Sequence, residues 1–197
     1  MKPILLDIPF PITTYRLSIR PPQPGDGPEL NAAVTESLGE LRPWLPWAKT
    51  TPSLEDSEES ARRAYAAWIL RDDLRLSIFS RDRGHLVASS GLHRINWDNR
   101  RFEIGYWCRT KDSTRGYITE AVTAITQFAF ACLDAKRVEI RCDVNNERSR
   151  RIPERLGFTF EATLKAHDRS PATDELHDTL LFVRFDAAGL PDVGAHW

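Results

Sequence analysis

At 197 residues, with 41% hydrophobic and 28% charged residues, the chain has the length and composition of one well-packed globular domain, which argues against two independent domains. Its 27 basic and 28 acidic residues leave a net charge of −1, without the basic excess expected of a dedicated nucleic-acid binder. No apolar run approaches a membrane span, and the short one near the N-terminus is interrupted by Pro3, Asp7 and Pro9 with no small-residue cleavage site after it, so neither a membrane segment nor a signal peptide is expected.

Thr14–Arg20 alternates and predicts a first strand, ended by Pro21, Pro22, Pro24 and Gly25. Asp26 reads as the N-cap of a helix to about Ser37. Leu41-Arg-Pro-Trp-Leu-Pro-Trp47 is a compact aromatic turn or a broken helix. Ser53-Leu-Glu-Asp56 resembles a capping box, with Asp in place of the usual Glu or Gln. It opens a helix to about Arg71 whose apolar face carries Ala61, Ala64, Tyr65, Trp68 and Ile69. Strands follow at about 74–81 and 85–95 around the hairpin signal Asp82-Arg-Gly84, and a third runs from Arg101 to Arg109. Ala121, Ile125, Phe128 and Ala129 recur at helical spacing within about 115–133. Arg137–Cys142 alternates as a strand, and Asn146–Arg155 is a short helix stopped by Leu156-Gly157-Phe158. Strands at about 158–167 and 176–186 and a surface strap, Ala187–Trp197, complete the chain. The order β-α-α-β-β-β-α-β-α-β-β predicts an α+β fold around one mixed sheet. Its middle strands should be antiparallel, and its β-α-β crossover at 101–142 right-handed and parallel.

The richest stretch is Asp112-Ser-Thr-Arg-Gly-Tyr-Ile-Thr-Glu-Ala121. A strand, a tight turn and a helix start in that order make an anion site, because the first helical N–H groups lack intrahelical partners and the helix dipole adds positive charge there. Gly116 lets the backbone approach a ligand closely, and a pyrophosphate is the natural guest. Cys108, Cys132 and Cys142 are odd in number and lack short CxxC spacing, so they read as buried free thiols of a reducing cytoplasm, with no metal site.

Four segments in order carry a resemblance: Leu41–Trp47, Glu103-Ile-Gly-Tyr-Trp107, Arg115-Gly-Tyr-Ile-Thr-Glu-Ala121 and Asn146-Glu-Arg-Ser-Arg-Arg-Ile-Pro-Glu-Arg-Leu-Gly-Phe158. Over about residues 13–186 the chain resembles the GCN5-related N-acetyltransferases (GNAT), in the branch that includes the ribosomal-protein alanine acetyltransferases. The resemblance implies acetyl-CoA as co-substrate, with its pantetheine arm lying like an extra strand between two parallel strands that splay apart. Backbone groups of Trp107, Cys108 and Arg109 would pair with the pantetheine, and the N–H groups of Arg115, Gly116, Tyr117, Ile118 and Thr119 would hold the pyrophosphate. It also implies Asn146 on the pantetheine chain, Ser149 as the acid for the departing thiolate, and Trp44 and Trp47 as walls of the acceptor pocket.

Three departures stand out. Ser113 replaces a long polar residue of the family loop and Ile118 a small one, which sets a β-branched side chain near the phosphates. Pro153 occupies the position where many relatives carry a tyrosine acid, and it leaves the carbonyl of Ser149 without its helical donor.

Amide formation from a thioester needs a proton acceptor for the amine, donors for the oxyanion and an acid for the thiolate. The oxyanion donor is read as a backbone N–H of Trp107 or Cys108. The base candidates are Glu103, on one strand face with Gly105 and Trp107, and Asp168, which aligns by spacing with a carboxylate of the ribosomal-protein branch. His93, His167 and His177 are further candidates, and Arg148, Arg150 and Arg151 form either a 3′-phosphate contact or a solvated face. The acceptor implied is a primary amine, the N-terminal α-amine of a protein or, as the alternative, a small-molecule or antibiotic amine. A non-catalytic acyl-CoA sensor is the competing class. Relatives often form homodimers, and six tryptophans leave room for an aromatic interface.

Overall fold

A computed structural model describes residues 2–197. Thr14–Arg20 is not one strand. Its strand part is β2 (Leu17–Arg20), which pairs antiparallel with β1 (Ile12–Thr13) around a tight turn at 14–16. The break comes from Thr14, whose hydroxyl accepts the Leu17 N–H at 3.0 Å and donates to the buried carboxylate of Glu120 at 2.6 Å. Helix α1 (Gly27–Leu41) runs a turn beyond the expected end. Asp26 does not cap it with its side chain. Its carboxylate is taken by both terminal nitrogens of Arg20 at 2.7 and 2.8 Å, and the N–H groups of Gly25 and Gly27 bond Glu58 instead.

Helix α2 (Leu54–Leu70) begins as expected. Ser53 accepts from the Asp56 N–H, and Asp56 accepts from the Ser53 N–H at 2.8 Å. The reciprocal cap satisfies two otherwise open donors. Ser53→Ala is expected to lower stability by about 1 kcal/mol, read as a reduced denaturant midpoint at unchanged m-value. A larger loss would mean that Ser53 does more than cap.

Strands β3 (Leu74–Ser80), β4 (Leu86–Asn96) and β5 (Arg101–Cys108) form the antiparallel meander, and α3 (Tyr117–Cys132) crosses over to β6 (Arg137–Asp143). Helix α4 (Glu147–Arg155) leads to the closing hairpin of β7 (Thr159–Arg169) and β8 (Leu176–Arg184). The eight strands lie in the order β1-β2-β3-β4-β5-β6-β8-β7, with β5 and β6 the parallel pair.

Alternation along β5 assigns the faces. Phe102 and Ile104 are buried in the cluster that holds Ala121, Ile125 and Phe128 of α3. Trp107, of opposite parity, packs with Val34, Leu38 and Leu41 of α1. One face of the sheet therefore carries α3, and the other carries α1. The C-terminal strap is tied to the first edge strand. Thr13 and His196 exchange N–H···O bonds of 2.7 and 2.9 Å, and Trp197 stands edge-on to Phe128. The strap thereby covers part of an otherwise open sheet edge. Among the described residues no helix is long and apolar enough to cross a membrane.

Candidate active site

The parallel ladder between β5 and β6 contains three residue pairs, ending at Glu103 and Glu139. Both strands continue, β5 paired with β4 to Cys108 and β6 paired with β8 to Asp143. A gap therefore opens between two strands that have lost each other as hydrogen-bond partners. The Arg109 N–H donates to the Val87 carbonyl at 2.8 Å, which makes Arg109 and Val87 a hydrogen-bonded pair in the β4–β5 ladder. Alternation then turns the backbone groups of Trp107 towards β4 and those of Tyr106 and Cys108 towards the gap.

This corrects the expected backbone set. Arg109 has its N–H taken, and its buried guanidinium binds Glu29 and Glu36 of α1, each at 2.9 Å. Its work is to fasten the end of β5 to α1. Together with that tie, burial and the Lys111 pairing set the Glu36 carboxyl: desolvation works to raise it, and the Arg109 and Lys111 bonds bring it below the usual range. The backbone of Cys108 is turned to the gap. Burial pushes its thiol up to about 12, and that of Cys142 up to about 11, so both are neutral thiols near pH 7.

The loop beyond β5 is held from below by Asp112, whose buried carboxylate bonds His85 at 2.8 Å. Gly116 adopts φ +80°, the left-handed conformation that glycine takes without penalty. The first bond of α3 runs from the Glu120 N–H to the Gly116 carbonyl, so the N–H groups of Tyr117, Ile118 and Thr119 before it are open. Ile118 packs against the core, and its branched side chain is thus directed inwards rather than at the site of the phosphates. Sequence reading missed Arg16. Its guanidinium bonds Glu120 and the Arg115 carbonyl and lies 4.9 Å over the Tyr117 ring, beside Gly116. Nothing local in the sequence marks it, because its partners lie about a hundred residues away.

Asn146 caps α4 by accepting the Ser149 N–H at 3.1 Å. The Ser149 carbonyl, left without a helical donor by Pro153, takes the Tyr106 hydroxyl at 2.9 Å, and Ser149 Oγ donates back to that hydroxyl at 3.2 Å. Burial raises the Tyr106 phenol far above its ordinary value, with the Ser149 bond offsetting part of the rise. It therefore stays a donor and fixes Ser149 across the gap. Tyr106 was missed although alternation from Phe102 and Ile104 places it on the α3 face. Tyr106→Phe is expected to cost about 1–3 kcal/mol by orphaning that carbonyl. Denaturant unfolding should show a much smaller effect for Tyr15→Phe, whose exposed hydroxyl bonds Asp192.

On the opposite face Glu103 is flanked by Arg141 at 3.3 Å and Arg94 at 3.6 Å. Glu103 Oε2 and Arg141 Nε are both buried without a hydrogen-bond partner, one on each strand just where the ladder ends. Burial raises the Glu103 carboxyl, and Arg94 and Arg141 counter it. Glu139 differs. Burial works to raise it too, but bonds from Arg137 and Arg141 hold it below the usual range. Trp47 packs 6.1 Å from Trp107, and Trp44 lines a cavity of about 390 Å³ between the end of α1 and the start of α4.

Asp168 stands apart from these groups. It lies on β7, the outermost strand, with an exposed side chain bonded to His167 at 3.0 Å. Arg148, Arg150 and Arg151 of α4 are each paired with a carboxylate: Arg148 with Glu40, Arg150 with Glu154 and Arg151 with Glu147. They form a solvated face.

A sheet forked between parallel strands, with an anion-receptive helix start at the end of one prong, is the architecture of an acyl-CoA-dependent transferase. A family model described as the acetyltransferase (GNAT) domain matches residues 16–159. The protein YdaF of Bacillus subtilis (strain 168), named as a candidate ribosomal N-acetyltransferase, is 31% identical over 176 residues, covering 84% of this chain and 89% of its own. The ribosomal-protein-serine acetyltransferase of Escherichia coli (strain K12) is 28% identical over 126 residues, 62% of this chain and 69% of its own. The solved structure of RimL, a ribosomal L7/L12 alpha-N-protein acetyltransferase in complex with coenzyme A, superposes with a TM-score of 0.82 at 21% identity, covering 92% of this chain and 98% of that one. The chain belongs to the GNAT acetyltransferase family and is an N-acetyltransferase.

Proposed function

We propose that this enzyme transfers an acetyl group from acetyl-CoA directly to a primary amine, the N-terminal α-amine of a protein, within a ternary complex. The observation that carries the reading is the fork: β5 and β6 part after Glu103 and Glu139, and β5 leads straight into the open N–H groups at Tyr117–Thr119. Pyrophosphate lies on the N–H groups of Arg115–Thr119, where partial positive charge collects. Pantetheine occupies the gap and pairs with the backbone of Tyr106 and Cys108, and Asn146 reaches the arm from α4. The Cys108 N–H is the simplest oxyanion donor. Ser149 hands a proton to the departing sulfur.

Glu103 faces the other side, where Trp44, Trp47 and Trp107 wall the approach of the amine. Asp168 and its neighbour His167 lie apart from that approach, on the edge strand β7. Direct transfer is favoured over an acetyl-cysteine intermediate because burial keeps Cys108 and Cys142 protonated. The protein acceptor is favoured by the two relatives named for ribosomal-protein acetylation.

The test is mass spectrometry of an acceptor panel incubated with enzyme and acetyl-CoA. Peptides with free N-termini should gain one acetyl group at the α-amine. Acetylation of small amines and not of peptides would move the reading to a small-molecule acyltransferase. Tight acetyl-CoA binding with no acceptor modified would replace it with a sensor.

A further inference from the structure

We infer that His93, held by Asp73, is the base that takes the proton of the acceptor amine, an inference that rests on the acetyl-transfer reading above. His93 Nδ1 lies 2.7 Å from a carboxylate oxygen of Asp73. An ionised carboxylate only accepts, so Nδ1 carries a proton, and in the neutral ring the lone pair is then on Nε2. Among the described residues Nε2 has no hydrogen-bond partner. The side chain is 29% exposed and so within reach of an acceptor.

The sheet is built to receive this ring. Gly91 and Gly105 stand opposite each other in the β4–β5 ladder. A Cβ at Gly91 would come within 2.8 Å of Cε1, and one at Gly105 within 3.1 Å of Cδ2 and 3.5 Å of Nε2. Side chains at these two positions would crowd the imidazole out. It lies against the backbone of β5 between Glu103 and Trp107, beside the stretch where β5 has left β6. Its cross-strand partner Glu103 is already engaged by Arg94 and Arg141, whereas Nε2 is free.

The other charged groups near the dyad are Arg75 on β3 and, across the cavity lined by Asp73 and Arg75, the α2 residues Asp56, Glu59 and Arg63. Asp73 and Glu103 both favour the imidazolium that forms. Base and acid then work from opposite faces of the sheet, His93 from the α1 side and Ser149 from the α4 side, with the thioester in the plane between them.

The amine's ammonium form gives one proton to Nε2, and its freed lone pair attacks the thioester carbonyl carbon. The C–S bond breaks with its electron pair on sulfur. The thiolate takes the Ser149 proton, Ser149 recovers through water the second proton that the nitrogen sheds, and His93 returns its proton to solvent.

The experiment measures kcat and KM against pH for the unmodified enzyme, His93→Gln and Asp73→Asn, with acetyl-CoA affinity by calorimetry. His93→Gln should lose about 10²–10⁴-fold in kcat/KM for the amine at neutral pH with acetyl-CoA affinity unchanged. The deficit should shrink as pH rises and the amine deprotonates in solution. Asp73→Asn removes the charge that stabilises the imidazolium, so the acid limb of its profile should move to lower pH. A loss equal at every pH, with that limb unmoved, would mean a structural role and overturn the inference. Full activity in His93→Gln would overturn it while leaving acetyl transfer standing. No turnover by the unmodified enzyme on any amine would overturn both.

Discussion

Gly116→Asp should abolish measurable acetyl-CoA binding, while Gly116→Asn should weaken it far less. The residue sits at φ +80°, where Asn and Asp are the least penalised of the side-chain-bearing residues. The two variants therefore share their backbone strain and differ in one charge. The added carboxylate would stand before the open N–H groups of Tyr117, Ile118 and Thr119, where the pyrophosphate is to bind. At an effective dielectric of about 20, two unit charges 4 Å apart repel by about 4 kcal/mol, a loss near a thousandfold in affinity. Arg16 lies close enough to a Cβ at this position to draw part of that charge aside. Calorimetric titration of both variants decides the matter. Equal affinities would mean that the phosphates lie elsewhere.

Ser149→Ala should lower kcat by about a hundredfold with acetyl-CoA affinity kept, because it deletes the proposed acid for the thiolate and leaves the α4 backbone in place. The Asn146 cap bonds the Ser149 N–H and the Tyr106 hydroxyl bonds its carbonyl, and neither contact needs the Ser149 side chain. Ser149→Thr, which retains a hydroxyl, should recover much of the rate. Steady-state kinetics with acetyl-CoA varied separates the cases. A rise in the KM for acetyl-CoA at unchanged kcat would make Ser149 a binding residue alone.

Features that depend on near neighbours were the legible ones. The Ser53–Asp56 cap was readable from four residues and was found as read. The loop at 112–119 is readable because strand, turn and helix start adjoin in sequence, although the positive φ of Thr114 beside that of Gly116 is not. Pro153 announced a free carbonyl at Ser149, but its occupant, Tyr106, comes from another strand. Features decided by distant partners were not legible. Thr14–Arg20 reads as one strand until Glu120, 106 residues away, draws the Thr14 hydroxyl inwards and forms the turn. Asp26 has the residue type of a cap, but its carboxylate is taken by Arg20, and the Gly27 N–H goes to Glu58. Strand position alone sets Arg109 beside the cofactor, and the parity that turns its N–H to Val87 depends on the register with β4. His93 is one histidine among several in the sequence, and what sets it apart is the room that Gly91 and Gly105 leave for its ring.

The central claim is that acetyl-CoA lies in the fork of the sheet. The measurement that tests it most directly is an acetyl-CoA titration of the unmodified protein followed at its backbone amides by NMR. The account predicts saturable shifts at Tyr106 and Cys108 and at Arg115–Thr119, with smaller ones at Arg109, whose N–H is bonded to Val87. Saturable shifts confined to other residues, or none at all, would contradict it.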